Sequence, residues 1–406
     1  MRQSSLNPGD LISIKELRES GRRTARERIT ALLDPNSFVE VDAFVQHRSG
    51  DHNMHLFKPL GDGVVAGHGM MDGRRIVCFA QDYSIFGGTM GEMHARKIKK
   101  VAEFAEKSQL PLIGIWDGDG QRAHEGVPSL GATGELLDIL VACSGRIPII
   151  SLILGAVSGV SALAAVLSDF VILSAEHGQM FMRSPYFIPE IINGEIDQET
   201  LGGAQSHASR SGVACLIADD EDDAIDITAE ILAYLPDHTL AEPLNIKSGD
   251  EWDRSCDKLT NLVPSDSNRP YDMVKVIEEI VDEGRFLEFF PTFAENILIG
   301  FARLDGQSVG IVANQPKVLA GCLDIDASVK AARFIRTCDI FNIPVITLVD
   351  VPGFLPGTVQ EWGGIIRHGA KLLYAYAEAT VPKLTVVTRK AYGGAYLAMS
   401  CKHLRS

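Results

Sequence analysis

The sequence lacks the features that would place it in several common protein classes. Its seven cysteines (Cys78, Cys143, Cys215, Cys256, Cys322, Cys338 and Cys401) form no CxxC pair. That spacing offers no zinc site and fits reduced thiols in a cytoplasmic setting, so no metal is expected. The opening residues, Met1-Arg2-Gln3-Ser4-Ser5, contain no apolar signal region. No basic stripe is visible, and the net charge of −15 argues against nucleic acid as a partner. No obvious acid–base dyad stands out. One long uncharged run exists, Ile147 to Ser168, and its length would suffice to cross a bilayer. Pro148, Gly155 and Gly159 interrupt it, and Asp169 follows directly. A similar run later in the chain, Val381 to Lys402, carries Lys383, Arg389 and Lys390. A buried strand, turn and helix accounts for both runs, so no membrane span is expected.

What is present is the composition of a globular protein, 46% hydrophobic and 22% charged. A chain of 406 residues exceeds one ordinary core, so two domains are expected. An internal repeat supports them. A helix before Asp34-Pro35-Asn36-Ser37 and the strand Phe38–Val41 match a helix before Asp282-Glu283-Gly284-Arg285 and the strand Phe286–Phe289. The tight Asp72-Gly73 turn matches Asp305-Gly306, each predicting a hairpin. The apolar run Leu110–Asp117 matches Ile343–Asp350, and Ile147–Gly159 matches Val381–Gly393. Runs without alternation read as parallel strands covered on both faces. The first copy holds an extra segment around His47 to Leu60, read as a surface loop. The joint is the polar stretch from about Leu244 to Arg269, giving domains 1–245 and 246–406.

Each copy ends in a strand, a glycine turn and a helix: Ser158-Gly159-Val160 in one, Tyr392-Gly393-Gly394-Ala395 in the other. Glycine lets backbone approach a ligand closely. Free N–H groups at a helix start can also stabilise a developing negative oxygen. A turn that merely needs glycine explains either copy alone. In open α/β folds, ligands bind beyond the carboxyl ends of the strands. Two similar domains facing each other would place both turns around one cleft.

Longer stretches carry a family resemblance. Among them are Thr24–Ile29, Phe86-Gly87-Gly88-Thr89, Leu201–Ala204, Val349–Thr358, Gly363–Lys371 and Arg389–Met399. In these the chain resembles the carboxyltransferase (β) subunits of biotin-dependent acyl-CoA carboxylases of the propionyl-CoA carboxylase type. It is similar as well to transcarboxylase and to the α subunits of the related decarboxylases. The resemblance implies an α/β fold of two crotonase-like (ClpP/crotonase superfamily) domains. It implies transfer of a carboxyl group from carboxybiotin to the α-carbon of an acyl-CoA such as propionyl-CoA or acetyl-CoA. The biotin would ride on a carrier protein, and the partners would be a biotin carboxylase, a biotin carboxyl carrier protein and further copies of the chain, as a dimer or hexamer.

Carried over by position, Gly394 and Ala395 would form the oxyanion hole for biotin's ureido oxygen. Gly159 and Val160 would form that for the thioester. Phe86, Gly87, Gly88, Arg122, Glu125, Gly126 and Val127 would surround CoA. Val351, Pro352, Gly353, Phe354, Gln360, Glu361, Gly363 and Gly364 would line the biotin side. For Arg122 and Glu125 the alternative reading is a helix-surface ion pair. His94, His124 and His368 are read as structural, because the mechanism needs no base from them.

The departures from the family pattern cluster in the first half. Val160 replaces a glycine, and if glycine's left-handed backbone is needed there the thioester hole is distorted. Asp119 and His124 enter the loop after the first strand, Met182-Arg183-Ser184-Pro185 replaces a Thr-Gly-Pro, and Leu397 sits where the acyl group is selected. An altered acyl substrate is therefore expected. Family members continue for about another quarter of their length, so the second domain is expected to lack its closing elements. Decarboxylation or transcarboxylation by the same site, or an assembly subunit impaired in catalysis, are the alternatives. A hydratase-like crotonase reaction is a weaker one.

Overall fold

In a computed structural model, residues 5, 6, 8, 9, 11–183 and 197–406 are described; Ser184 and Pro185 of the altered first-half motif lie outside them. The chain divides into two units, Met1–Ile231 and Leu232–Ser406. Residues 232–245, placed with the first domain on sequence grounds, pack on the second. Tyr234 lies against Phe301 (5.6 Å) and under the Arg303 guanidinium (4.7 Å). Arg303 also donates to the carbonyls of Ala233 (2.6 Å) and Leu244 (3.0 Å).

In the first unit, helices α1 (Leu11–Glu19) and α2 (Ala25–Leu32) precede the sheet. Thr24 and Glu27 close a capping box at the start of α2. Strand β1 (Val39–Glu40) pairs antiparallel with β2 (Val64–Met71), and β2 with β3 (Arg74–Gln81). Three parallel neighbours follow: β4 (Leu112–Gly118), β5 (Ile149–Ser158) and β6 (Phe170–Ser174). Strand β7 (Gln179–Phe181) extends the pairing of β5, and β8 (Leu216–Ala218) that of β6. Helices α3 (Glu92–Ser108) and α4 (Val127–Cys143) pack on each other, and α5 (Gly159–Ala165) follows β5 directly. The uncharged run is thus a strand and a helix, and no helix among the described residues is long and apolar enough to cross a membrane.

The second unit repeats this plan. Strands β9 (Leu287–Phe289), β10 (Ile297–Leu304) and β11 (Gln307–Asn314) are antiparallel neighbours, followed by parallel β12 (Val345–Val351) and β13 (Lys383–Ala391). Asp72-Gly73 and Asp305-Gly306 turn the two hairpins, all four residues with positive φ, as a two-residue turn matched to strand twist requires. Strand β12 is wholly buried, as expected of a covered parallel strand. Strand β13 is not: it is the sheet edge, and Leu384, Val386 and Val387 are exposed.

The repeat extends to buried charge. Lys97 on α3 and Lys330 on the helix Ile325–Ile340 both point inward. Lys97 Nζ donates to the Val64 carbonyl at 2.7 Å, and Lys330 Nζ to those of Phe290 (2.9 Å) and Phe293 (2.8 Å). Burial, only partly offset by nearby carboxylates, pulls each lysine down to about 8 from an ordinary 10.5. Between those values the unfolded chain holds the proton that the folded one has released, so these groups make stability rise with pH. Replacing Lys330 by Met should flatten that rise in urea unfolding measured from pH 8 to pH 10; an unchanged slope would contradict the assignment.

Candidate active site

Both units end, at the carboxyl edge of their parallel strands, in the same construction. Asp117 is the penultimate residue of β4 and Asp350 that of β12, each fully buried. The Asp117 N–H donates to Gln81 Oε1 at 3.0 Å and the Asp350 N–H to Asn314 Oδ1 at 3.2 Å. The side-chain NH2 groups of Gln81 and Asn314 donate in turn to the carbonyls of Gly88 (3.5 Å) and Gly321 (3.3 Å). Those glycines end matched turns. Phe86, Gly87 and Gly88 have φ of 50°, 61° and 67°, and Leu319, Ala320 and Gly321 have 47°, 54° and 81°. A Cβ at Gly88 would stand 2.1 Å from the Asp117 carbonyl oxygen, and one at Gly321 2.5 Å from that of Asp350. Only glycine permits that approach.

Different arginines neutralise the two aspartates. Asp117 receives Arg22 and, at 2.7 Å, Arg28 Nη1. Arg28 also donates to Glu221 (2.6 and 3.0 Å) and to the Leu154 carbonyl (3.0 Å). Burial opposes the Arg28 charge, but the two carboxylates outweigh it and hold the pKa above the ordinary arginine value. Gly155 leaves the room: a Cβ there would fall 2.0 Å from Asp117 Oδ1. In the second unit Arg389, the repeat partner of Gly155, supplies the guanidinium from the strand itself, its Nε 3.0 Å from Asp350 Oδ2.

The glycine turns follow. Gly159 has φ 58° and Gly393 φ 57°, and each is the first residue of its helix, α5 or Gly393–Ala398. Helix starts leave their first N–H groups without intrahelical partners. No side chain caps either start. Nothing lies within 4 Å of a Cβ built on Gly393 or Gly394, and only the Met182 carbonyl (3.9 Å) approaches one on Gly159. The feared distortion at Val160 does not arise: the left-handed residue is Gly159, and Val160 is not among the positive-φ residues. Val160→Gly should therefore leave turnover within a few-fold of wild type, whereas Gly159→Val, forced into the left-handed region, should lose both turnover and stability. Equal losses in the two variants would contradict this.

Around Gly159 the expected residues converge in part. The Asp119 N–H donates to the Gly87 carbonyl (3.3 Å), and the Asp119 carboxylate accepts from the Ser158 hydroxyl (2.5 Å). The Phe86–Gly88 turn, the loop after β4 and the Gly159 turn thus form one cluster. Phe86 is caged by His47 (5.8 Å), Phe57 (5.4 Å) and the Arg122 guanidinium (4.6 Å). The extra segment His47–Leu60 therefore packs on Phe86, where a plain surface loop was expected. Arg122 and Glu125 are buried, neither a surface pair nor open to a ligand. Arg122 bonds Asp62 (2.6 Å), Glu125 (2.8 Å) and the Thr89 carbonyl (2.9 Å), while Glu125 accepts from the Glu92 N–H (2.6 Å). Their side chains hold the loop in place. Gly126 has φ 58° at the start of α4, and Val127 is 81% exposed. His94 is fully enclosed: burial, reinforced by the Arg122 charge, keeps it neutral well below its ordinary pKa. Its Nδ1 faces the Asp62 carbonyl and its Nε2 the Gln81 amide. It is structural.

Around Gly393, Val351 pairs with Ala391, and its carbonyl accepts from the Tyr392 N–H (3.1 Å). Gly353 and Phe354 are tied to Leu323 instead. Gln360 caps the helix Ile325–Ile340 through the Ile325 N–H (3.0 Å). Gly363 packs against Ile325, Gly364 (φ 91°) closes its turn, and Glu361 is exposed. Pro352 continues the loop, half-buried. Among the described residues no His, Cys, Asp or Glu group could hold a metal.

The model of the carboxyl transferase domain family matches residues 16–406. The propionyl-CoA carboxylase beta chain of Saccharopolyspora erythraea is 50% identical over 98% of this chain and 75% of its own length. The methylmalonyl-CoA decarboxylase subunit alpha of Veillonella parvula is 50% identical over 96% of this chain and 77% of its own. The structure of transcarboxylase 12S with hydrolysed methylmalonyl-coenzyme A bound superposes with a TM-score of 0.96 at 43% identity, over 99% of this chain and 78% of that one.

Proposed function

The chain belongs to the carboxyl transferase domain family, and from that premise we propose that it moves a carboxyl group between biotin on a carrier protein and the α-carbon of an acyl-CoA. It is an enzyme of biotin-dependent carboxyl transfer with a CoA thioester substrate. The crotonase-like α/β fold agrees. The observation that carries the site assignment is the pair of left-handed glycines, Gly159 and Gly393, each opening a helix beyond a fully buried aspartate.

The Gly393–Gly394 turn has room for biotin. Open space over Gly393 and Gly394 lets a planar ring reach the backbone. In this reading the Gly394 and Ala395 N–H groups donate to biotin's ureido oxygen, and those of Gly159 and Val160 to the thioester oxygen. Preorganised backbone donors stabilise charge that develops on those oxygens without reorganising. Bound carboxybiotin would supply the activated carboxyl group and, once that is released, a ring nitrogen able to accept the α-proton. The chain orients the two reactants and needs no side-chain base. Phe86, Gly87, Gly88, Gly126 and Val127 border the CoA side, with Arg122 and Glu125 behind them. Val351–Phe354, Gln360, Glu361, Gly363 and Gly364 frame the biotin side.

The partners in this reading are a biotin carboxylase and a biotin carboxyl carrier protein. Hexamer assembly of transcarboxylase 12S supports a homo-oligomer. Decarboxylation of methylmalonyl-CoA, the activity in the name of the Veillonella relative, begins with the same step in reverse. Incubating the protein with carboxyl-labelled malonyl- or methylmalonyl-CoA and free biotin tests the proposal; label retained wholly on CoA would refute it.

A further inference from the structure

The segment 260–271 folds over the end of β13, with Tyr271 in the core of the second unit and Arg389 bonding the segment's backbone. Arg389 Nη1 donates to the carbonyls of Asp266 (2.7 Å) and Arg269 (2.8 Å). Its Nε donates to Asp350 Oδ2 (3.0 Å), and its guanidinium lies 4.9 Å from the Tyr271 ring centre. The neighbouring residues complete the clamp. Thr388 Oγ1 bonds the Tyr271 hydroxyl (3.0 Å) and the Val349 carbonyl (2.9 Å), and the Lys390 N–H donates to Asp350 Oδ1 (3.1 Å). These are the last residues of β13 before the Gly393 turn. The β12–β13 register also shifts here, between Val349 and Val351. The strand end is therefore irregular, and its path is set by side chains as well as by ladder bonds.

The first unit shows what is particular about this arrangement. There Asp117 is met by Arg22 and Arg28 from outside the sheet, and the position equivalent to Arg389 is Gly155. In the second unit a single guanidinium bonds the buried carboxylate and two carbonyls of an outlying segment. Its planar fork serves separate acceptors at fixed angles, which a lysine ammonium on a flexible stem cannot reproduce.

We propose that Arg389 is a positioning residue for the Gly394–Ala395 turn, coupling segment 260–271 and Asp350 to the height at which that turn meets biotin. This rests on the reading that the turn receives biotin. Displacing an oriented group by about 1 Å can cost orders of magnitude in rate, so the clamp would set the efficiency of the biotin side and leave the CoA side alone.

The test compares Arg389→Ala, Arg389→Lys and Gly394→Pro in carboxyl transfer from methylmalonyl-CoA to free biotin. Arg389→Ala should lower kcat/KM for biotin about tenfold while the KM for methylmalonyl-CoA stays within about twofold. Guanidinium ion at non-denaturing concentration should restore part of that loss in Arg389→Ala and none in Gly394→Pro. Arg389→Lys should fall between wild type and Ala. Hydrogen exchange of the 260–271 amides should quicken in Arg389→Ala. A lowered kcat/KM with no rescue would mark a merely structural arginine and overturn the proposal, as would unchanged exchange in the segment. If Gly394→Pro leaves biotin turnover intact, it is the biotin reading of the turn that fails.

Discussion

Asp117→Ala is expected to destabilise the first unit by about 3–5 kcal/mol, because it strands a buried guanidinium without its carboxylate. Arg28 and Asp117 are both fully buried, and Arg22 shares the same carboxylate. Loss of the acid leaves Arg28 with one carboxylate, Glu221, and the Leu154 carbonyl. Urea unfolding should show the first unit's transition moving to lower denaturant. The triple variant Asp117→Ala, Arg28→Met and Glu221→Leu should recover part of the loss, since Arg28 bridges both acids and apolar neighbours tolerate burial better than a broken ion-pair network. By contrast, Glu135→Ala breaks an equally short bridge to Lys99 at the surface (2.8 Å) and should not shift the transition measurably. Similar shifts for the buried and surface variants would contradict this account of the fold.

Gly394→Pro is expected to lower carboxyl transfer by about 10²–10³-fold, the usual cost of deleting one oxyanion donor. Proline suits the first turn of a helix, where its missing N–H has no intrahelical partner, and nothing lies within 4 Å of a Cβ built on Gly394. The variant should therefore fold like wild type while losing a donor. Steady-state kinetics would locate the loss in kcat. Wild-type turnover in Gly394→Pro would remove the turn from the reaction.

Much of the architecture was legible because the two halves check each other. Asp72-Gly73 with Asp305-Gly306, and Gly159 with Gly393, sit where a repeated α/β unit needs turns, and the left-handed backbone is found at all six residues. Conformation that residue type does not announce is not legible in the sequence. Phe86, Leu319 and Ala320 adopt positive φ although none is glycine, because the amides of Gln81 and Asn314 and the nearby strand ends over-determine the turns. Aligning the halves column by column would have revealed Gln81 with Asn314 and Lys97 with Lys330. Arg122 and Glu125 misled for a different reason. A short-range acid–base spacing looks alike on an exposed helix and in a buried loop, and burial is a property of the fold. Val160 was suspect because glycine was assumed to matter at that position, whereas the left-handed residue is the one before it.

The central claim, that this chain transfers a carboxyl group between biotin and a CoA thioester, is tested most directly by one labelling experiment. The purified chain is mixed with free biotin and methylmalonyl-CoA carrying isotope in its free carboxyl group, and the products are separated. The account predicts label in carboxylated biotin at a rate that falls at least tenfold in Gly394→Pro. Label that never leaves the CoA ester, or that leaves equally fast in Gly394→Pro, would contradict it.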